Sequence, residues 1–330
     1  MMKDIISKIE KEGILGRSGS NFPVHLKWES VKKEKAEKKY VVCNAAEGEL
    51  GAFKDLFILK NHSRYVIEGI RVAIDYLSAE KGYIYLKKEY FEEVHDLLKE
   101  EIGNDEIEIV KKKGGYIGGE ETALIKVIEG GVPEPQKKPP FPTQKGLWGY
   151  PTLVNNVESF YCVGKIKREE YEKERFYSIF GDAPNKGVHK LQGGITIREI
   201  LESTGNVPDF EYFLKIGGGA CGIIMLPEEL DVPLRRLGVI MIYKKEGLDC
   251  YALMKKWVDF LLEGNCDKCT PCREGLYRIM EMIEKRDMEG VEDMLFAMEK
   301  TSFCPLGTSA ATSLRSFLEK VLKNDHENKN

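Results

Sequence analysis

The sequence predicts an α/β chain built in three units, and three observations carry that prediction. Strand-like and helix-like patterns alternate between residues 40 and 158, as in a largely parallel sheet with helical crossovers. From about Phe176 the texture changes to short strands around one small helix. Beyond Leu248 the apolar spacing is helical throughout. The expected units are residues 1–175, 176–247 and 248–330.

Met1 to Leu15 reads as a short amphipathic helix with Ile5, Ile6 and Ile9 on one face. A glycine-bearing segment follows, Gly16-Arg17-Ser18-Gly19-Ser20-Asn21-Phe22-Pro23, leading to Lys27-Trp28. Tyr40 to Cys43 is a strand that stops at the polar run from Asn44 to Gly51. The spacing of Val66, Ile67, Ile70, Val72, Ala73 and Tyr76 predicts a helix over His62–Leu77. Tyr83 to Leu86 is a strand, Tyr90 to Glu100 a helix and Ile107 to Val110 a strand. The last of these feeds a glycine loop, residues 114–122, and a helical pattern at Ala123, Leu124, Val127 and Ile128. Pro133 to Pro142 is too stiff for regular structure and reads as an ordered surface strap. Gly149 to Glu158 contains a short strand, with Asn156 or a neighbour capping the next helix.

The middle unit carries a helix at Thr196–Ser203 and a strand at Tyr212–Ile216, a module of about ubiquitin size. Four helices follow, Tyr251–Leu262, Arg273–Lys285, Val291–Lys300 and Ala310–Lys323, with a polar tail from Asn324.

Composition narrows the function classes. The net charge is −4 over 330 residues with acids and bases interspersed, so no basic field points to nucleic acid. No apolar run approaches transmembrane length, and the charged N-terminus lacks a signal-peptide plan, so a cytoplasmic protein without membrane insertion is expected. The eight cysteines should then be reduced or metal-bound. Cys43, Cys162, Cys221 and Cys250 read as buried small hydrophobes.

The other four stand apart. Cys266, Cys269 and Cys272 follow a C-x2-C-x2-C rhythm, and Cys304 answers from a distant segment. Soft sulfur ligands select a [4Fe–4S] cluster, zinc or Cu(I), and consecutive two-residue spacers favour the cubane. Four-cysteine zinc sites more often use two separated C-x2-C pairs.

The glycine loops are ambiguous when taken singly. Residues 16–23 and 114–121 are tight turns or phosphate cradles. Asn44, Glu47, Asn155 and Asn156, all at strand ends, add polar groups that can bond the edge of a heterocycle. Glu120-Glu121 is either a solvated first helical turn or a charged pair beside a cofactor. Gly217 to Gly222 fits G-x-G-x-x-G formally, but an apolar run and Pro227 follow where a helix should open, so it reads as a turn.

An ordered set of motifs spans nearly the whole chain: Gly-Arg-x-Gly-x-x-Phe-Pro (16–23), Cys-Asn-Ala-x-Glu (43–47), Tyr-Ile-x-Gly-Glu-Glu-Thr-Ala-Leu (116–124), Lys-Pro-Pro-Phe-Pro (138–142), Val-Asn-Asn-Val-Glu (154–158) and Lys-Cys-Thr-Pro-Cys-Arg-Glu-Gly (268–275). With these, the chain resembles the NADH-binding flavoprotein subunits of respiratory complex I (NuoF type). It equally resembles the diaphorase subunits of NAD-linked or bifurcating hydrogenases and formate dehydrogenases.

The resemblance implies a Rossmann-like FMN domain, a β-grasp module of the soluble-ligand-binding type and a cluster-bearing helical bundle. By the same resemblance, FMN is held by Gly16, Arg17, Gly19 and Lys27, by Asn44 and Glu47, by Tyr116, Gly119, Glu120 and Glu121, and by Asn155 and Asn156. NADH stacks on Phe22, with Glu49, Glu121, Lys138 and Phe141 around it and Glu121 and Glu49 as catalytic candidates. The [4Fe–4S] cluster sits on Cys266, Cys269, Cys272 and Cys304. The implied function is hydride transfer between NADH and FMN, then single electrons to the cluster. A [2Fe–2S] thioredoxin-like partner and further redox subunits are the implied acceptors.

The chain departs from the family pattern at named positions. Ala46 stands for an Asp, Gly48 for a Ser and Ser30 for an aromatic, and 234–239 lacks a Gly-Ser-Gly-Gly turn. Ser18, Ser20 and Asn21 replace smaller residues; Asn21 either crowds the cofactor or takes the positive φ of a glycine. Two alternatives follow: a flavin and iron–sulfur relay or bifurcation subunit that does not use NADH, and a zinc-stapled scaffold without catalysis.

Overall fold

A computed structural model describes residues 2–18, 21–219, 221–235 and 237–322. Its first sheet is parallel throughout, with β1 (Tyr40–Ala45), β2 (Lys81–Leu86), β3 (Ile107–Lys111) and β4 (Thr152–Asn156) in the order β3-β2-β1-β4. Alternation along β1 sends Val41, Cys43 and Ala45 to one face and Tyr40 and Val42 to the other.

The first face is covered by α1 (Met2–Lys11), α2 (Val24–Lys33), α3 (Lys54–Leu77), α4 (Lys88–Ile102) and α6 (Val157–Lys167). The short α5 (Glu121–Ile128) and residues around Leu147 cover the second. Both faces are buried, as a parallel sheet requires.

Among the elements around the first sheet, two differ most from the sequence reading. Residues 24–33 form a helix where only a glycine-bearing segment was expected; Val24, Trp28 and Val31 form its buried stripe. α3 begins at Lys54, eight residues before the predicted start, because the two helical segments meet at His62 with φ −142° and ψ 22°. The predicted start at His62 is therefore the second segment alone.

α3 and α6 pack with their backbones in contact. A Cβ on Gly69 would lie 2.0 Å from the Phe160 carbonyl oxygen, and one on Gly164 would lie 2.0 Å from that of Tyr65. Reciprocal glycines thus set the crossing, and with it the positions of both helix N-termini.

The second sheet comprises β5 (Glu174–Gly181), β6 (Gly187–Gln192), β7 (Tyr212–Ile216), β8 (Ile223–Met225) and β9 (Val239–Lys244), in the order β6-β5-β9-β7-β8. Its first and last strands, β5 and β9, pair in parallel, while every other pair is antiparallel. α7 (Ile197–Ser203) starts with a capping box between Thr196 and Glu199.

The helical region follows as α8 (Cys250–Gly264), α9 (Thr270–Lys285), α10 (Val291–Thr301) and α11 (Pro305–Phe317). Of these, α11 starts at Pro305, five residues before the predicted Ala310. The polar tail predicted from Asn324 lies outside the described residues. Among those residues no helix is long and apolar enough to cross a membrane.

The glycine crossing makes a direct prediction. Gly164→Ala forces α6 away from α3 and destabilises the fold by about 1–3 kcal/mol, the usual cost of overpacking. Urea unfolding of the variant measures it; an unchanged midpoint would show that the helices separate freely.

Candidate functional site

The parallel sheet places the site. The chain leaves β1 toward β2 and β3, then returns to β4 on the other side, so the crevice between β1 and β4 is the topological switch point. Asn44 and Glu47 stand at the end of β1, and Asn155 and Asn156 at the end of β4.

A cleft of about 750 Å³ opens there. Phe22 and Lys27 enter from the first glycine loop and α2, Lys138 and Phe141 from the proline strap. Gly217 and Cys221 come from the β7–β8 turn, and Pro305, Leu306 and Ser309 from the start of α11. Phe22 is 51% exposed and Phe141 50%, offering aromatic faces for a flat ring.

Beneath the cleft lies a buried charge network. Lys54 is fully buried at the start of α3. Its Nζ donates to Asp55 Oδ1 and, at 2.8 Å, to Asn156 Oδ1, and lies 3.5 Å from Glu158 Oε2. Asn156 returns a bond from Nδ2 to Asp55 Oδ2 (2.7 Å) and caps α6 by accepting from the Glu158 amide (3.1 Å).

Burial alone would strip the Lys54 proton, but Asp55 and Glu158 outweigh it and hold the ammonium above the ordinary lysine range. Glu47 accepts from the Asp55 amide (3.0 Å) and the Tyr90 hydroxyl (3.1 Å), both at Oε2. Burial, reinforced by the Asp55 charge, pushes its carboxyl up to about 8. Its other oxygen, Oε1, is buried without a partner among the described residues.

The helix-opening loop is capped from within. The positive end of α5 does not wait for a phosphate: the Glu120 carboxylate already accepts from the Thr122 amide (2.7 Å) and the Ala123 amide (3.0 Å). Lys138 Nζ joins both acids, 2.8 Å from Glu120 Oε1 and 2.7 Å from Glu121 Oε1, and Lys27 reaches Glu121 Oε2 at 3.0 Å. Burial would raise the Glu121 carboxyl, yet the two lysines hold it down at about 2.

Behind the cleft the cysteines gather at helix ends. Cys266 follows α8, Cys269 heads α9, Cys272 lies in its first turn, and Cys304 heads α11. The thiol of Cys272 is pushed up to about 12 by burial and by the neighbouring sulfurs of Cys269, Cys304 and Cys266. Among the described residues no three His, Cys, Asp or Glu side chains converge on one point as ligands of a single ion. A cubane instead spreads its ligand sulfurs around a polyatomic core.

The glycine-loop residues behave differently from the rest of the proposed set. Gly16 bonds its amide to the Phe22 carbonyl (2.9 Å) and shapes the loop. Arg17 turns inward, its Nε 3.9 Å from Glu158 Oε1, and neither residue lines the cleft. Gly19 lies outside the described residues. Asn21 has φ +50°, so it takes the glycine-like conformation. The cleft does bring together Phe22, Lys27, Asn44, Glu47, Glu49, Tyr116, Gly119, Glu120, Glu121, Lys138, Phe141, Asn155 and Asn156.

Sequence reasoning missed Lys54, Asp55, Cys221 and Leu306, which also line it. A Lys-Asp pair opening a helix directly after a polar loop was the available signal for the first two. The described residues of the Gly217–Gly222 run join two antiparallel strands, the turn that was expected. Its packing on Glu49, where a Cβ on Gly218 would fall 1.9 Å from Glu49 Cγ, was not legible.

Comparison with known proteins agrees with this geometry. Residues 9–165 match the Nuo51 FMN-binding domain, and residues 252–324 match the iron–sulfur binding region of NADH-ubiquinone oxidoreductase-F. An F-type subunit of the NADH-quinone oxidoreductase of Rhizobium meliloti is 31% identical, covering 96% of this chain and 86% of its own. The chain belongs to the NuoF-type family of NADH-quinone oxidoreductase subunits.

The counterpart from Aquifex aeolicus is also 31% identical, over 96% of this chain and 84% of its own. A chain of a crystalline NAD+-reducing [NiFe]-hydrogenase superposes with a TM-score of 0.87 at 27% identity over 97% of this chain. The present chain spans 61% of that hydrogenase chain. Both cofactor classes of the family fit the donor sets found. The orphaned Glu47 Oε1 and the strand-end amides suit a flavin edge, and four thiols at adjoining helix ends suit an iron–sulfur cluster.

The buried network yields two expectations. Lys54→Met leaves Asp55 and Glu158 buried without their cation and costs about 3–5 kcal/mol, read by urea unfolding; a loss below about 1 kcal/mol would mean those acids are solvated. For Glu47, the folded state keeps a proton that the unfolded chain releases, because its carboxyl is raised from 4.5 to about 8. Its contribution is complete below the unfolded value and is lost as pH rises through about 8. Glu47→Gln should therefore lose less stability than the parent between about pH 5 and about pH 8. Equal losses in both proteins would show that Glu47 is ionised throughout.

Proposed function

We propose that this chain moves electrons between a nicotinamide dinucleotide and a partner redox subunit, through FMN in the cleft and a [4Fe–4S] cluster behind it. One observation carries the reading. Pro305 and Leu306, which line the cleft, directly follow Cys304, and the Glu120 charge acts on the Cys304 thiol, so the two centres share a wall.

A bound flavin supplies hydride acceptance at N5 and one-electron donation. The chain's own residues do the rest. Asn44 and Asn155 present amides to the heterocycle edge, while Asn156 holds Lys54 and Asp55 beneath them beside Glu47. Phe22 and Phe141 stack the nicotinamide and adenine rings at the mouth and exclude water. Glu49, Glu121 and Lys138 take the ribose hydroxyls and orient the dinucleotide, with Glu121 ionised and held between its two lysines.

Relatives named as NADH-quinone oxidoreductase and NAD-reducing hydrogenase subunits support an acceptor carried by another subunit. A [2Fe–2S] thioredoxin-like chain is the partner we favour.

A second reading, a relay that does not use the dinucleotide, is favoured by Ser30 on the cleft wall where the family has an aromatic. NADH-dependent viologen reduction separates the two.

Anaerobically purified protein should show flavin absorbance and an iron–sulfur band bleached by dithionite; colourless protein with stoichiometric zinc would overturn the proposal. Cys304→Ala should lose the cluster and keep the flavin. Glu121→Ala and Phe141→Ala should each weaken NADH binding about tenfold, roughly 1.4 kcal/mol, with FMN retained. Unchanged affinity in both would remove these residues from the dinucleotide site.

A further inference from the structure

Strand β7 alternates between two interiors. Leu214 and Ile216 enter the core of the second sheet, while Phe213 joins the helical core and stacks on Tyr243 with centroids 5.2 Å apart. Lys215 occupies the next position on the Phe213 face. An apolar residue would satisfy that face. Instead a lysine is fully buried, with Nζ 3.2 Å from the Trp257 ring centroid and no hydrogen-bond partner among the described residues. Trp257 is itself packed by Phe317 (5.0 Å) and Tyr243 (5.9 Å). An ammonium group desolvated with only a ring face for company is costly, and such a group calls for a reason.

Its surroundings supply one. The charged or titratable groups acting on it are Glu49, from the loop after β1, and Cys221, from the β7–β8 turn. Tyr116 bonds both, at 2.6 Å to Glu49 Oε2 and 3.4 Å to Cys221 Sγ, and Tyr243 faces the same tryptophan from β9. Glu49, Cys221 and Tyr116 line the cleft together with Pro305, Leu306 and Ser309, and Ser309, on the helix that Cys304 heads, sits beside the Cys221 thiol. The amine is thus set behind the wall that the two proposed centres share. Burial pushes it down to about 7, against the pull of Glu49 and Cys221, so it is poised to gain or lose a proton.

We propose that Lys215 is a proton-binding site coupled to the redox centres, taking up a proton when an electron reaches the adjoining cluster and releasing it when the electron leaves. The inference rests on the flavin and cluster reading above. An N–H bond forms at Nζ with a proton from solvent, delivered along Glu49 at the cleft wall. The electron comes from reduced nicotinamide or, in vitro, from dithionite. The added negative charge is what favours the protonated amine.

The test is potentiometric titration of the loaded protein at several pH values between about 6 and 9, following the cluster by electron paramagnetic resonance. The cluster potential should fall as pH rises, approaching a tenfold change in the reduction equilibrium per pH unit, ~59 mV for one electron. Lys215→Met should hold the same iron and flavin with a potential that no longer depends on pH. A pH-independent wild-type potential overturns the inference, as does an equal slope in the variant. Protein that takes up neither flavin nor iron overturns the underlying reading as well, so the two failures are distinct.

A second measurement needs no cofactor. The folded chain favours the neutral amine, so wild-type stability should rise with pH between about 7 and the ordinary lysine value of 10.5, and Lys215→Met should lack that rise. Parallel curves would place the amine in water and end the proposal.

Discussion

The cleft depends on one buried cation. Lys54 gathers Asp55, Asn156 and Glu158 around its ammonium, and those residues belong to the start of α3, the end of β4 and the start of α6. It is the cation set between the buried Asp55 and Glu158 carboxylates. Through Asp55 the network reaches Glu47, and through Glu158 it reaches Arg17 and the Phe176 amide on β5. One side chain therefore fixes the end of β1, the end of β4 and the first strand of the second sheet at once. That is a mechanical role as much as an electrostatic one, since each cleft residue at a strand end takes its position from this hub.

Close backbone packing makes the hub possible. The Gly69 and Gly164 crossing holds α3 and α6 at a separation that no side chain would permit, and their N-termini arrive together beneath the cleft. The same device recurs toward the cluster. A Cβ on Gly264, two residues before Cys266, would lie 2.6 Å from the Tyr116 Cβ, so the cleft loop and the cysteine loop touch directly. The cleft lining accordingly draws on the first sheet, the β7–β8 turn and the start of α11.

Legibility from the sequence followed the length scale of the signal. β7 was legible to the residue, and Asn156 was legible as a helix cap, because both are written in a few neighbouring residues. The cysteine spacing and the ordered motifs pointed to the two centres. α2 escaped because its Val24, Trp28 and Val31 stripe is hidden among lysines and glutamates. Lys54 and Lys215 escaped for a different reason: a lysine in a sequence reads as surface, and only tertiary packing takes it inside. Glu120 was legible as charged but not as the cap of its own helix, since that depends on a rotamer.

The proline strap spans both halves of the molecule. Near its start Glu134 pairs with Lys268 between two of the cysteines, and farther on Lys138 clamps the paired glutamates at the mouth of α5. Surface connections usually tolerate insertions, because slack costs little entropy. This one is a ruler. A single added residue would carry one of its two lysine–glutamate attachments out of register, so its length should be as constrained as the identity of any residue it touches.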